Sequence, residues 1–222
     1  MKSRDNDQLA GTYKTVDQLA SCDPIIKVSD LWLYQQKSLN GKSWTSEEDL
    51  AQPAIPCGLV AKSLFNDTFV LKKVGDPNPV VINADNIAWS SDITYKFNNI
   101  QEPIPTGAGQ TYKDVQWFDM KDQHFIVWMR TAGLPTFRKL WGRIDATLTA
   151  GTYMLTINNN YNVAPFQGKK SFVLSTTNAL GGKNYFLAVC YITVGTLCML
   201  FAFLFCFVSM KKRTNQNNMQ GG

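Results

Sequence analysis

Histidine occurs once in these 222 residues, at His124, and only two of the five cysteines, Cys22 and Cys57, lie outside an apolar C-terminal stretch. A two-histidine metal site is excluded, and the two cysteines stand too far apart for a C-x2-C knuckle. No G-x-S-x-G elbow occurs. Gly41-Lys42-Ser43 has the ending of a phosphate loop, but Gln36 stands where its first glycine would be. Gly181-Gly182-Lys183-Asn184 is no nucleotide loop either, because it leads straight into the apolar stretch. Seventeen carboxylates contain no pattern that singles out an acid/base pair. His124 precedes the apolar run Phe125–Met129 and reads as structural. The sequence therefore points to no catalytic residue, no cofactor and no metal: a non-enzyme.

Charge is missing in one place. Tyr185 to Met210 carry no charged side chain, and no acid follows them, whereas Lys211, Lys212 and Arg213 come at once after. Setting those three aside leaves 19 basic against 17 acidic residues, so most of the formal +5 belongs to the tail. A nearly neutral remainder has no nucleic-acid footprint. With 45% hydrophobic residues, disordered and collagen-like classes are also out.

The uncharged stretch is long enough to cross a bilayer, for which about 20 residues suffice. A buried core helix of this length without one charge is rare. Tyr185 and Phe186 suit one interface, and the basic cluster places the other end in the cytosol. Residues 1–184 then lie on the lumenal or extracellular side. Met1-Lys2-Ser3-Arg4-Asp5 is polar and offers no signal peptide. Either the chain is tail-anchored with a cytosolic domain, or an upstream transmembrane segment is expected. Cys190, Cys198 and Cys206 recur every eight residues, drift around a helix, and serve as small apolar residues. Cys22 and Cys57 fit a disulfide in an oxidising compartment, worth roughly 4 kcal/mol by loop closure, with two free thiols as the alternative. Asn66-Asp67-Thr68 is the one glycosylation sequon.

Upstream, apolar runs alternate with turn signals and predict a β-rich, antiparallel, sandwich-like domain. Expected strands are Leu59–Leu64, Phe69–Lys72, Val80–Ile82, Ile87–Trp89, His124–Arg130, Gly151–Ile157 and Ser171–Ser175. Gly75-Asp76-Pro77-Asn78-Pro79 and residues 103–109 read as turns. After Leu134-Pro135, Phe137, Leu140, Trp141 and Ile144 fall at i, i+3, i+4 and i+7, which predicts a short amphipathic helix. Arg138, Lys139 and Arg143 fall off that stripe, as a solvated face or a contact surface.

Several motifs then occur in one order: Lys2-Ser-Arg-Asp5 with Gln8-Leu9, Pro56-Cys-Gly-Leu-Val-Ala61, Ser63-Leu-Phe-Asn-Asp-Thr68, Ile87-Ala-Trp89, Phe125-Ile-Val-Trp-Met-Arg-Thr-Ala132, Leu134-Pro-Thr-Phe-Arg-Lys-Leu140, and Leu174-Ser-Thr176 with Gly181-Gly-Lys-Asn184. Together they resemble the ligand-effect modulator, or cell division control protein 50, family. Members are non-catalytic β-subunits of type IV P-type ATPases, the phospholipid flippases. The resemblance implies two membrane helices around a glycosylated, disulfide-bonded exoplasmic domain, of which this chain would hold the later part. On it, residues 1–184 are a partial exoplasmic domain, 185–210 the second membrane helix and 211–222 a cytosolic tail. Cys22 and Cys57 resemble family disulfide cysteines, although the stretch between them is longer than usual. Asn66 resembles a family glycosylation site, while Ile157–Asn162 lacks the sequon that relatives can carry. The implied partners are the ATPase α-subunit and membrane lipid, in the endoplasmic reticulum, Golgi or plasma membrane. No Asp-Lys-Thr-Gly-Thr sequence is present, so phosphoryl chemistry would belong to that partner. Candidates for partner contact are Arg130, Arg138, Lys139, Arg143 and, on the membrane helix, Gly195, small enough for close helix approach. The rival reading is a single-pass adhesion or ligand-binding receptor.

Overall fold

The computed structural model describes residues 3–105, 109–178, 181–182 and 185–220. Lys2, residues 106–108 and Lys183-Asn184, which belong to turns and motifs named above, lie outside them. The chain divides into two units, Met1–Asn162 and Val163–Gly222.

In the first unit, short helices alternate with long irregular segments: α1 Asn6–Leu9, α2 Glu47–Ala51, α3 Leu59–Lys62, α4 Ser90–Tyr95, α5 Tyr112–Val115 and α6 Gln123–Met129. The strands β1 Thr68–Lys73, β2 Pro79–Val80 and β3 Tyr153–Asn158 form one antiparallel sheet in the order β2-β1-β3. Asp76 closes the β1–β2 turn by accepting the Asn78 N–H at 2.9 Å, a local turn that proline and asparagine favour. Leu71 lies opposite both Val80 and Leu155, and Phe69 opposite Ile157. Their alternation sets the register, because a slip of one residue would turn Leu71 out of the core.

The antiparallel sheet and the single apolar C-terminal helix match the expected fold class. The extent of strand does not. Leu59–Lys62 is a helical turn after Gly58, whose φ of +95° and approach to the Ser3 carbonyl exclude any side chain there. Ile87–Trp89 and Ser171–Ser175 form no strand. The expected strand His124–Arg130 is instead helix α6 through Met129, where Asp122 caps the start by accepting the Phe125 N–H at 2.9 Å. A helix apolar all round belongs inside. Phe125, Ile126, Val127 and Met129 are accordingly buried. Thr136–Ile144 forms no helix. Its backbone is held by Arg143, which exchanges two 2.8 Å hydrogen bonds with Asn83, and by Lys139, described below.

The core gathers Leu19, Ile55, Met120, Phe125 and Ile126 around bonded Cys22 and Cys57, whose Cα atoms are 5.7 Å apart. With so little sheet, buried side-chain amides satisfy the irregular backbone. Gln8 donates to the Ala54 carbonyl (3.0 Å) and accepts from the Cys57 N–H (2.8 Å). Gln116 accepts from the Ile100 N–H (2.7 Å) and donates to the Phe118 carbonyl (3.0 Å). Both glutamines are fully buried.

The second unit holds a two-residue antiparallel pair, β4 Thr177–Asn178 with β5 Gly181–Gly182, and the helix α7 Tyr185–Gln220. Tyr185–Lys212 is long and apolar enough to cross a membrane. At 1.5 Å per residue it measures about 42 Å. Thr193 and Thr196 return their hydroxyls to helix carbonyls at 2.9 to 3.0 Å, so neither presents an unpaired donor to lipid. The helix runs on past the basic residues to Gln220, since lysine, arginine and glutamine are good helix formers.

Candidate partner-binding surface

Four carbonyls at the end of a helix have no partner within it. At the end of α6, two nearby cations take up the negative end of the dipole. Arg4 donates to the Met129 carbonyl at 2.7 Å. Lys139 donates to the carbonyls of Val127 (3.2 Å), Trp128 (3.3 Å) and Arg130. Burial, with the nearby charge of Arg130, pushes the Lys139 ammonium below the ordinary lysine range.

Arg130 follows α6 directly. Its Nε donates to Asp92 Oδ2 at 3.2 Å, and its guanidinium lies 4.0 Å from the centre of the Trp89 ring. That stacking is a favourable cation–π arrangement. Its Nη2 is buried and has no hydrogen-bond partner among the described residues. Asp92 is buried too and is shared with Lys96 (2.7 Å). The Lys96 hydrogen bond first, then that of Arg130, hold the Asp92 carboxyl below the usual carboxylate range against the opposing effect of burial.

From Thr131 the chain turns outward. It bends over residues 133–136 without forming a helix, since the position before Pro135 disfavours helical geometry. Leu134, Phe137 and Leu140 stay at least half exposed. Trp141 instead turns inward, stacking 4.1 Å from His124 and meeting Phe69 edge-on at 5.1 Å. His124 Nε2 also lies 2.8 Å from the Trp141 carbonyl oxygen, a structural role. The apolar stripe is thus split between the aromatic cluster and the surface. Between Trp89, Arg130 and the segment carrying Leu134, Phe137, Arg138 and Lys139 lies an open groove of about 490 Å³.

Arg130, Arg138 and Lys139 therefore come together. Arg143 does not line the groove; its exposed side chain lies 4.0 Å from Asp145. Gly195 lies on α7, in the other unit, and a Cβ there would meet nothing within 4 Å. Asn66 is half-buried at the entry to β1, and its backbone carbonyl accepts from the Asn160 side chain at 3.1 Å. The sequon hydroxyl of Thr68 accepts from Asn158 at 2.7 Å, while buried Asp67 accepts the N–H groups of Asn160 and Tyr161, each at 2.7 Å. The asparagine-rich stretch that lacks a sequon is thus folded onto the one that has it.

Trp89, Asp92 and Arg4 are the parts of this surface that the sequence does not announce. Asp92 lies 38 positions from Arg130, and no local pattern connects them. Trp89 carries a weak signal, as an aromatic directly before a helix, and it stays 64% exposed.

The LEM3 (ligand-effect modulator 3) family / CDC50 family matches residues 1–215. ALA-interacting subunit 3 of Arabidopsis thaliana is 40% identical over 220 residues, which cover 96% of this chain and 55% of that protein. Cell cycle control protein 50A of Bos taurus is 36% identical over a 242-residue alignment, covering 98% and 61%. Cell cycle control protein 50B of Homo sapiens is 38% identical over 184 residues, covering 72% and 52%. The chain spans about half to three-fifths of the length of these relatives. With its membrane helix and nearly all of its length inside the match, this membrane protein belongs to the LEM3/CDC50 family.

Proposed function

We propose that the chain serves as the non-catalytic accessory subunit of a type IV P-type ATPase, supporting that enzyme's folding, its exit from the endoplasmic reticulum and its transfer of phospholipid. The observation that carries this reading is the family match over residues 1–215, whose relatives include a protein named for interaction with ALA. The Cys22–Cys57 bond supports an oxidising, exoplasmic location for the first unit, in the endoplasmic reticulum, Golgi or plasma membrane, with Lys211 and Lys212 cytosolic. Asn66 then carries glycan. Gly195 offers a close approach to a membrane helix of the partner. The apolar, cationic groove beside Arg130 supplies the exposed aromatic and arginine anchors that interfaces favour.

The test is purification of the full chain in mild detergent, co-expressed with a type IV P-type ATPase of its own organism. A stable complex is expected, weakened by Gly195→Leu. Recovery of the chain free of the ATPase would overturn the subunit reading and favour a ligand-binding receptor. An intact complex with Gly195→Leu would remove only the Gly195 contact.

A further inference from the structure

The groove beside Arg130 has walls of two kinds. Trp89, Leu134 and Phe137 are apolar and largely exposed. Arg130, Arg138 and Lys139 are cationic, and the nearest carboxylate, Asp92, is already divided between Arg130 and Lys96. Positive charge in the groove is thus in excess.

The donors are not equally available. A lysine ammonium has three, and Lys139 uses all of them on the carbonyls of Val127, Trp128 and Arg130. It contributes field but no further hydrogen bond. Arg130 has committed Nε to Asp92 and left Nη2 buried without an acceptor among the described residues. A buried unsatisfied donor bears its full desolvation penalty, larger for a charged group. Arg138 is exposed at the rim. Nη2 of Arg130 has no accessible surface, so what the groove presents is the rim guanidinium of Arg138, the positive field of Arg130 and Lys139, and apolar walls.

We infer that this groove receives the carboxylate of an aspartate or glutamate carried between apolar residues on an exoplasmic loop of the ATPase, an inference that rests on the subunit reading above. One carboxylate matches the rim guanidinium of Arg138 within that positive field. A lipid phosphate, with more acceptor oxygens to satisfy, is matched less well, because Lys139 has no donor left for it. The flanking apolar residues cover the exposed parts of Leu134 and Phe137. Closing water out around the pair strengthens it.

The test uses the full chain, co-expressed with the ATPase, with p-benzoylphenylalanine in place of Phe137 for photocrosslinking. The expected crosslink falls on an ATPase peptide with an Asp or Glu within about two residues, the reach of neighbouring extended residues. Arg138→Glu is expected to cut complex recovery at least about tenfold, by setting like charges together. Changing the crosslinked acid to lysine should restore it. Among the described residues exposed Arg138 makes no hydrogen bond or ion pair, so its loss of binding is not a loss of folding. A crosslink to lipid, a crosslink to a peptide without an acid, or unchanged recovery with Arg138→Glu would overturn the inference while leaving the subunit reading intact. Failure of the unaltered chain to bring down the ATPase would overturn both.

Discussion

Helix α6 and the eleven residues that follow it are neighbours in sequence and both carry large apolar side chains, yet those side chains meet opposite fates. Phe125, Ile126, Val127 and Met129 vanish into the core, while Leu134, Phe137 and Leu140 face solvent. Backbone satisfaction explains the division. α6 carries its hydrogen bonds with it and can be buried whole. The following segment, interrupted by Gly133 and Pro135, cannot bond itself and stays where water reaches it. Past its first residue, Arg130, it is tied back to α6 by the side chain of Lys139. An apolar surface left open in this way is a place for another molecule.

The contrast breaks most visibly at Phe125, which has no exposure. Phe125→Ala should cost about 3–5 kcal/mol, the range for a phenylalanine cavity. Leu134→Ala, at 73% exposure, should stay within about 0.5 kcal/mol. Denaturant unfolding of the full chain in mild detergent, followed by tryptophan fluorescence, measures both. Similar losses for the two variants would mean that the outer segment is packed, not open.

The tie between the two regions comes next. Lys139→Met removes three charge-assisted hydrogen bonds to the end of α6 while keeping the side chain's bulk. About 1–3 kcal/mol should be lost, the range for bonds to a charged group. Arg143→Met removes only an exposed 4.0 Å ion pair and should do almost nothing. Equal effects for the two would show that Lys139 is a surface charge like any other.

These regions also mark what could be read from the chain alone. The membrane helix was plain, because 26 residues without a charge admit few other fates. β1 and β3 were plain because Phe69 and Leu71, and Tyr153, Leu155 and Ile157, alternate. α6 was mistaken for a strand, since a short run apolar on all sides has no period to reveal; its one local sign was the Asp122 cap. The expected helix at Thr136–Ile144 had the right spacing. It lost to tertiary contacts, with Trp141 drawn to Phe69 and Arg143 to Asn83. Of the candidate contact residues, Arg130, Arg138 and Lys139 line one groove while Arg143 and Gly195 do not, and no sequence pattern shows that Lys139 is occupied internally. Nor does the sequence assign a role to Trp89, which lines the groove, or to Asp92, which holds Arg130 from behind it.

Asp92 gives the finest test of how the buried helix shapes the open groove. Its carboxylate orients Arg130 against Trp89 and so fixes the position of the unfilled Nη2. Its folded-state pKa lies below the ordinary 3.8. The unfolded chain therefore binds this proton more readily. The stability Asp92 contributes is complete above the ordinary value and is lost as pH falls through the lowered one. Unfolding midpoints measured from pH 7 downward should thus drop more steeply in acid for the unaltered chain than for Asp92→Asn, which has no proton to gain. The two curves should differ at neutral pH by the lost ion pairs and converge as acid removes them from the unaltered chain. Parallel curves at every pH would mean that Asp92 is not the group holding Arg130, and the groove's buried nitrogen would need another explanation.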